Sequence, residues 1–240
     1  MTTIAQVLAA CRAEHIPERE SGLWAVRRRV LDRATRWTSA DNGRKPHRVE
    51  PGVYTFLVRA TEGTLHLPLG GETVMNDSVH ELRTHLRAML RASGRVLVTG
   101  LGLGCCVRGM LALGRVDEVV VLEREAAVLH LVAGSFAGES RVRIVHAEAE
   151  DWLRANPDEH FDTAWHDVWT NREEGEDHLA VKHSHLMKEC LGRVREQGAW
   201  AFPKWLGRKI ARATRDRAEP CTRDLERDSR VTTAAMPAGP

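Results

Sequence analysis

The chain has few aromatic residues and no long apolar run. Phe, Trp and Tyr make up 5% of its 240 residues, with a single tyrosine. No uninterrupted apolar stretch approaches the roughly 18 residues that a membrane-spanning helix needs. The first twenty residues also lack a basic start followed by a long apolar segment. We therefore expect a protein that is neither secreted nor inserted in a membrane.

Cysteine pairs and excess charge are also missing. The five cysteines are odd in number and form no C-x-x-C pair, which argues against a disulfide framework and favours the reducing cytoplasm. The 35 basic and 33 acidic residues leave a net charge of +2. This balance gives no clear signal for nucleic-acid binding.

The composition does allow a sizeable core. Hydrophobic residues make up 42% of the chain and charged residues 28%, as in globular proteins. We predict four regions: N-terminal helices with a loop (1–50), a small antiparallel β region (51–77), a Rossmann-like domain (78–206) and a charged tail (207–240). The tail has few large apolar residues, and we expect it to be disordered.

The N-terminal third changes its pattern near residue 52. Apolar positions at helical spacing predict helices over 3–14 and 22–37, followed by a polar loop over 38–51. Three β-rich segments then predict antiparallel strands, at 53–60, 64–69 and 72–75. Ser78 and Glu81 have the spacing of a capping box, so we expect a helix from there through Leu90.

From Arg95 onward, short apolar strands alternate with helical stretches, which is typical of a parallel sheet built from βαβ units. The predicted strands cover 95–99, 118–122, 142–146, 161–167 and 199–203. The predicted helices cover 105–113, 125–134, 148–155 and 176–196. The fold class expected is α/β, with a Rossmann-like, mostly parallel sheet, helices on both faces, and a small helical and antiparallel β region before it.

The strongest motif follows the first of these strands, where the chain reads TGLGLGCC. Glycine allows a backbone to approach a ligand closely, and a helix N-terminus beyond it offers NH groups. A dinucleotide fingerprint G-x-G-x-x-G would need glycine at Cys105. The spacing instead favours a methionine-type cofactor without pyrophosphate, although a plain tight turn is the alternative. The expected cofactor contacts are Gly100, Leu101, Gly102 and Gly104.

Acidic residues stand at the ends of the next three strands. Glu123 follows the glycine loop by about 20 residues, where a carboxylate can accept the two hydroxyls of a ribose. Glu148 is placed to meet an adenine edge, or it simply begins a helix. Asp167 ends the fourth strand beside the ligand crevice, where it can orient or deprotonate a substrate, unless it only caps the loop.

These motifs, taken in their order along the chain, resemble those of a known family. The segment from about 52 to 170 resembles the class I S-adenosylmethionine (SAM)-dependent methyltransferase fold, in the branch that contains spermidine synthase, through HELRTH (80–85), GRVLVTGLGLG, VVVLE and FDTAWHD. The resemblance implies a small β domain ahead of a Rossmann-like domain and SAM as cofactor. It implies that the nucleoside is lined by His80, Gly100, Gly102, Glu123 and Glu148, and that Asp167 is the acid at the catalytic strand end.

Two departures separate the chain from the aminopropyltransferases of that branch. Leu103 and Thr170 stand where those enzymes carry acids that face cationic groups. The leading hypothesis is therefore a SAM-dependent methyltransferase acting on a small-molecule substrate, and a homodimer is left open. The alternatives are an aminopropyltransferase and a non-catalytic nucleoside-binding or interaction protein. The final β hairpin of the fold has no clear sequence after Pro203.

Other reactive side chains give weaker patterns. His166, His178, His183 and His185 show no established metal spacing, so no metal site is predicted. Cys105 and Cys106 open the helix after the glycine loop, where a helix dipole can lower a thiol pKa. We expect these two residues to pack beside the loop rather than to react.

Overall fold

The computed structural model describes residues 2–38, 46–60, 71–168 and 176–200. The helices are α1 (Ile4–Ala10), α2 (Val79–Arg91), α3 (Cys105–Leu111), α4 (Ala126–Val132), α5 (Ala149–Ala155) and α6 (Glu176–Glu189). The N-terminal strands are β1 (Arg19–Ser21), β2 (Trp24–Leu31), β3 (Thr35–Thr38), β4 (Pro46–Val49), β5 (Gly52–Arg59) and β6 (Glu72–Asn76). The later strands are β7 (Gly94–Thr99), β8 (Val116–Glu123), β9 (Val142–His146), β10 (Phe161–His166) and β11 (Val194–Ala199).

The later strands form one parallel sheet in the order β11-β10-β7-β8-β9. The chain starts at β7, moves outward through β8 to β9, and then returns to the other side of β7 for β10 and β11. This reversal is the topological switch of a Rossmann-like fold. The α/β class predicted from the sequence is confirmed.

Helices cover both faces of this sheet because its strands are apolar on both sides. On β7, Val96 and Val98 face a core shared with α1, α2, α3 and α4. Leu97 lies between them and faces the opposite core, with residues of α5 and α6. The alternation of neighbouring residues between two cores is the period of an extended strand.

An antiparallel sheet in the order β1-β2-β5-β6 precedes the parallel one, and β3 pairs with β4 in a hairpin. The β2–β5 ladder runs from the Trp24–Arg59 pair to the Leu31–Gly52 pair. Trp37 packs on Tyr54 and Phe56, with ring centroids 5.2 and 5.3 Å away. These rings belong to a small hydrophobic core that is separate from the two cores of the parallel sheet.

The predicted helix over 22–37 is wrong, because this segment forms β2 and β3. Leu23, Val26 and Val30 do have helical spacing, but pairing with β5 along eight residues overrides that local preference. The predicted loop is wrong for 46–49, which form β4. The antiparallel sheet therefore begins before residue 51. The predicted strand at 64–69 lies outside the described residues.

The C-terminal boundary also moves. The predicted helix over 176–196 ends at Glu189, and the last described strand is 194–199 rather than 199–203. Gly192, with φ +82°, turns the chain between them. Residues beyond 200, including the tail and any terminal hairpin, lie outside the described part. Within the described part, no helix is both long enough and apolar enough to cross a membrane.

The junction between the two sheets is held by one buried carboxylate. Asp77, between β6 and α2, is fully buried. Its Oδ1 accepts a hydrogen bond from the Thr55 backbone NH at 2.8 Å, and its Oδ2 accepts from the Ala13 NH and from Arg12 Nε, both at 3.0 Å. Asp77 therefore ties the end of α1 and strand β5 to the start of α2. Ser78 then caps that helix by accepting from the Glu81 NH at 3.4 Å, the first half of the predicted capping box.

Candidate cofactor and acceptor site

The candidate site lies where β7 and β10 end side by side. The Asp167 NH donates to the Thr99 carbonyl at 2.9 Å, and the Gly100 NH donates to the Leu122 carbonyl at 2.8 Å. A side chain at Gly100 would collide with the Asp167 carbonyl oxygen. The exit loops of β7 and β10 therefore meet at the carboxyl edge of the sheet, where open α/β folds bind ligands.

The glycine loop has the backbone conformation that its residues predict. Gly100, Gly102 and Gly104 have φ of 96°, 51° and 72°, a region that favours glycine. Gly104 is the N-cap of α3, and a side chain there would collide with the ring of Phe136. The need for glycine at these positions comes from the turn itself as well as from any ligand.

Met75 covers the loop from the antiparallel sheet. Its Sδ accepts a hydrogen bond from the Leu103 NH at 2.9 Å, and a side chain at Gly102 would collide with that sulfur. Nothing in the sequence ETVMN marks this methionine. A bulky residue at Gly102 would therefore displace Met75 as well as block a cofactor.

Glu123 reaches from the end of β8 into the loop. Its side chain is buried, with Oε2 accepting from the Leu101 NH and Oε1 from the Glu125 NH, both at 2.8 Å. Burial raises the pKa of Glu123, and the two backbone hydrogen bonds oppose that rise. Each carboxylate oxygen keeps a further lone pair, so Glu123 can hold the loop in place and still accept hydrogen bonds from hydroxyl groups.

Glu148 lies beside Glu123 across the β8–β9 pair, where the Ala147 NH donates to the Glu123 carbonyl at 3.0 Å. It is the N-cap residue of α5, but the helix shows no hydrogen bond from its side chain to the first turn. Its Oε2 instead lies 3.8 Å from Nη1 of Arg124. The side chain of Glu148 is 41% exposed, so an adenine edge can reach it.

His80 stands in the first turn of α2. Its ring stacks on that of His47 in β4, with centroids 3.6 Å apart and planes 13° apart. The β3–β4 hairpin therefore covers the beginning of α2. The assignment of His80 to a cofactor contact stays a prediction.

Asp167 is partly exposed and lies beside a buried histidine. The carboxylate is 28% exposed, and its Oδ2 lies 3.5 Å from Nδ1 of His85, whose side chain is 3% exposed. Burial raises the pKa of Asp167, and His85 opposes the rise. His85 was missed as a site residue, although its position on the buried face of α2, with Leu82 and Met89, was a signal.

The two cysteines behind the loop are packing residues, as expected. Both are buried. Burial raises the pKa of Cys105 to about 12, and burial also raises the pKa of Cys106, with a further contribution from the charge of Asp167. Burial therefore outweighs any effect of the helix dipole, and both thiols stay protonated at neutral pH.

On the other face of β10, a buried polar chain runs from β7 to α6. His166 Nδ1 lies 3.2 Å from Thr99 Oγ1, and His166 Nε2 lies 3.3 Å from Oε1 of Gln197. Gln197 Nε2 in turn donates to the Met187 carbonyl at 3.0 Å. Burial lowers the pKa of His166 to about 4, and burial together with the charge of His166 lowers the pKa of His183 to about 3. Among the residues described, no three metal-ligating side chains come together.

These neutral histidines predict an acid-sensitive fold. The folded pKa of His166 lies below the 6.5 of an unfolded histidine, so stability is full above about pH 6.5 and is lost as the pH falls toward 4. At about 1.4 kcal/mol per tenfold change in proton affinity, His166 alone should cost about 3 kcal/mol by pH 4.

Urea unfolding at pH 7.5 and pH 5 would measure this loss. His166→Asn should lower stability at pH 7.5 but flatten the pH dependence, whereas the same change at the exposed His160 should leave the dependence unchanged. An equally steep dependence in His166→Asn would contradict the assignment to His166.

No protein-family model matches the chain, and no curated protein does. Solved structures do match. A spermidine synthase from Thermotoga maritima is 14% identical, over 86% of this chain and 73% of its own, with a TM-score of 0.44. A putative SAM-dependent methyltransferase from Streptococcus mutans is 12% identical, over 67% and 43%, with a TM-score of 0.45. A putative caffeoyl-CoA O-methyltransferase from Staphylococcus aureus is 14% identical, over 60% and 72%, with a TM-score of 0.36.

The matched structures thus include both kinds of enzyme that the sequence motifs resemble. At these identities and TM-scores, the likeness concerns the fold and decides nothing about activity. The case for a function rests on the site itself.

Proposed function

We propose that the chain is a SAM-dependent methyltransferase whose acceptor binds beside Asp167. The observation that carries the proposal is the meeting of three parts at one edge of the sheet. The left-handed glycine loop abuts the Asp167 backbone, and the Glu123 carboxylate is held 2.8 Å from the Leu101 NH. The glycine loop therefore contacts both acids, Glu123 through its side chain and Asp167 through its backbone.

The residues present fit a nucleoside carrying a methionine tail. Glu123 is fixed by two backbone NH groups and offers its remaining lone pairs to two ribose hydroxyls. Glu148, just past the end of the neighbouring strand, would contact the base in this proposal. In this proposal, the backbone of the glycine loop holds the chain that joins the ribose to the transferred group.

SAM, when bound, supplies a methyl group on a sulfonium that is a good leaving group. The protein then needs to align the acceptor and to receive its proton. The carboxylate of Asp167 is partly exposed at this edge and lies 3.5 Å from Nδ1 of the buried His85. A proton leaving an N–H or O–H acceptor can be received at its carboxylate.

The residues at the glycine loop favour aminopropyl transfer less. Leu103 is fully buried and Met75 bonds to its NH, so this part of the glycine loop presents no carboxylate to a cationic group. A non-catalytic nucleoside-binding protein is the other alternative, because binding needs Glu123 and the loop but not Asp167.

Calorimetric titration with SAM, S-adenosylhomocysteine and decarboxylated SAM distinguishes these functions. Binding of the first two with dissociation constants in a similar range supports the methyltransferase. A clear preference for decarboxylated SAM would assign the chain to aminopropyl transfer. No binding of any of the three would overturn the proposal of a SAM enzyme.

We expect Glu123→Ala to weaken SAM binding by about 10- to 100-fold, because hydrogen bonds to a charged group contribute about 1.5–3 kcal/mol. Calorimetry on the folded variant measures it. Glu118→Ala is the matched control, since Glu118 stands on the same strand but at its other end, in a half-exposed pair with Arg95. That variant should bind as the wild type does.

Glu123 also braces the loop, so a second ligand separates its two roles. If Glu123 contacts the ribose, the substitution should matter much less for a 2′,3′-dideoxy analogue of S-adenosylhomocysteine than for the parent compound. An equal loss for both ligands would show that Glu123 acts only on the loop.

A further inference from the structure

His85 is a buried imidazole beside the candidate site. His85 lies on the inner face of α2, and its Nδ1 is buried with no hydrogen-bond partner. The Asp167 carboxylate oxygen at 3.5 Å is within ion-pair range. Buried polar atoms in native structures are nearly always hydrogen-bonded, so the place of this one next to the site needs an explanation.

We propose that His85 is a positioning residue, which holds the Asp167 carboxylate ionised and directed at the crevice where the acceptor binds. The role rests on the proposed function, since Asp167 is the acceptor-facing group. His85 is too deeply buried to touch an acceptor itself. It acts through the Nδ1–Oδ2 contact, which can shorten into a hydrogen bond with Nδ1 as the donor.

The surroundings fix the imidazole ring in place. The ring of Trp165 meets it edge-on, with centroids 6.1 Å apart and planes 84° apart. The preceding residue of α2, Thr84, accepts a hydrogen bond from Nε1 of Trp200 at 3.2 Å and donates one to the Glu81 carbonyl at 2.7 Å, which ties this turn of the helix to its surroundings. A buried ring on a fixed turn can orient a carboxylate more strongly than a mobile surface histidine can.

The charges around His85 and Asp167 support the same role for His85. His85 faces Asp167 from α2, and Cys106 faces it from α3. Because burial raises the pKa of the Cys106 thiol, that thiol is neutral at neutral pH and adds no negative charge beside the carboxylate. Burial raises the pKa of Asp167, and His85 is the group that opposes the rise. Removing His85 should therefore leave Asp167 protonated over a wider pH range.

The test is a titration of the Asp167 carboxyl by NMR on the full chain labelled with carbon-13 at the aspartate carboxyl carbon. Asp167→Asn identifies its signal. In His85→Leu, the midpoint should rise by about one pH unit or more, which is a tenfold change in proton affinity. The exposed His160→Leu is the control and should leave the midpoint unchanged.

Two amide variants keep the test decisive if His85→Leu does not fold. His85→Asn places a donor near Nδ1, and His85→Gln places one near Nε2. The asparagine should keep the midpoint close to that of the wild type, and the glutamine should not. Equal midpoints in these two variants, or an unchanged midpoint in folded His85→Leu, would overturn the proposal.

Titration with SAM on the same samples separates this inference from the proposed function. If the wild type fails to bind SAM but the midpoint still depends on His85, the methyltransferase proposal falls and the coupling of the pair stands. If SAM binds and the midpoint does not depend on His85, the positioning role falls alone.

Discussion

Asp77→Ala is expected to lower the free energy of unfolding by about 3–5 kcal/mol, the range for breaking a buried ion pair by removing one partner. The carboxylate of Asp77 is fully buried and partnered by the Thr55 NH, the Ala13 NH and Arg12. Alanine would leave two backbone donors without an acceptor and would remove the buried one of the two carboxylates that pair with Arg12, the other being Glu14. Since these partners come from α1 and β5, both the antiparallel sheet and its packing on α2 should loosen.

Urea unfolding followed by circular dichroism measures this effect. Asp77→Asn is the more delicate variant, because it keeps the shape and one acceptor but loses the charge, and it should fall between the wild type and alanine. Asp32→Ala, at an exposed position, is the control and should change stability by less than about 0.5 kcal/mol. A loss of about 1 kcal/mol or less in Asp77→Ala would show that Asp77 does not hold the junction.

The parallel sheet could be predicted because its information is local. Val96, Leu97 and Val98 form an apolar run between a turn and a glycine loop, and such a run can be buried on both faces. The glycine loop could be predicted for the same reason, since left-handed backbone at Gly100 and Gly102 requires glycine.

The antiparallel sheet could be predicted only in part, because its pairing is not local. Leu23, Val26 and Val30 recur at helical spacing, yet the partner strand that makes this segment extended lies about thirty residues later. Asp77 shows the same limit. Its charge is visible in the sequence, but the three groups that make its burial favourable come from distant segments.

For the candidate site, too, only the residues with a local signal could be predicted. Glu123 and Asp167 could be brought to this edge by prediction because each ends a strand, and parallel strands place their carboxyl ends at one edge. Met75 and His85 were missed because they reach that edge from β6 and from α2, and the docking of those elements cannot be read from local sequence patterns. The residues that the strand order brings to this edge can therefore be predicted from the sequence. The residues that reach it through the packing of other elements cannot.

Asp167→Asn is expected to lower methyl transfer by about 100-fold or more, within the range for general acid–base groups, while SAM affinity changes little. Asparagine keeps the size of the side chain and much of its hydrogen bonding but cannot receive a proton from the acceptor. Asp167 follows β10, which β7 separates from the strand of Glu123, and it meets the glycine loop through its backbone, so cofactor contacts should be kept. The effect should therefore fall on turnover and not on cofactor binding.

The measurement begins with a screen of small amines, nucleosides and peptides against labelled SAM to find an acceptor. Turnover and SAM binding are then compared for the wild type, Asp167→Asn and Asp158→Asn, a control in the exposed turn before β10. Equal losses of SAM binding and turnover would make Asp167 a structural residue of the strand end. Full activity in Asp167→Asn would remove it from the reaction and direct the search to His80, because His166 is fully buried. In that case the coupling of His85 to Asp167 would have no role in proton transfer.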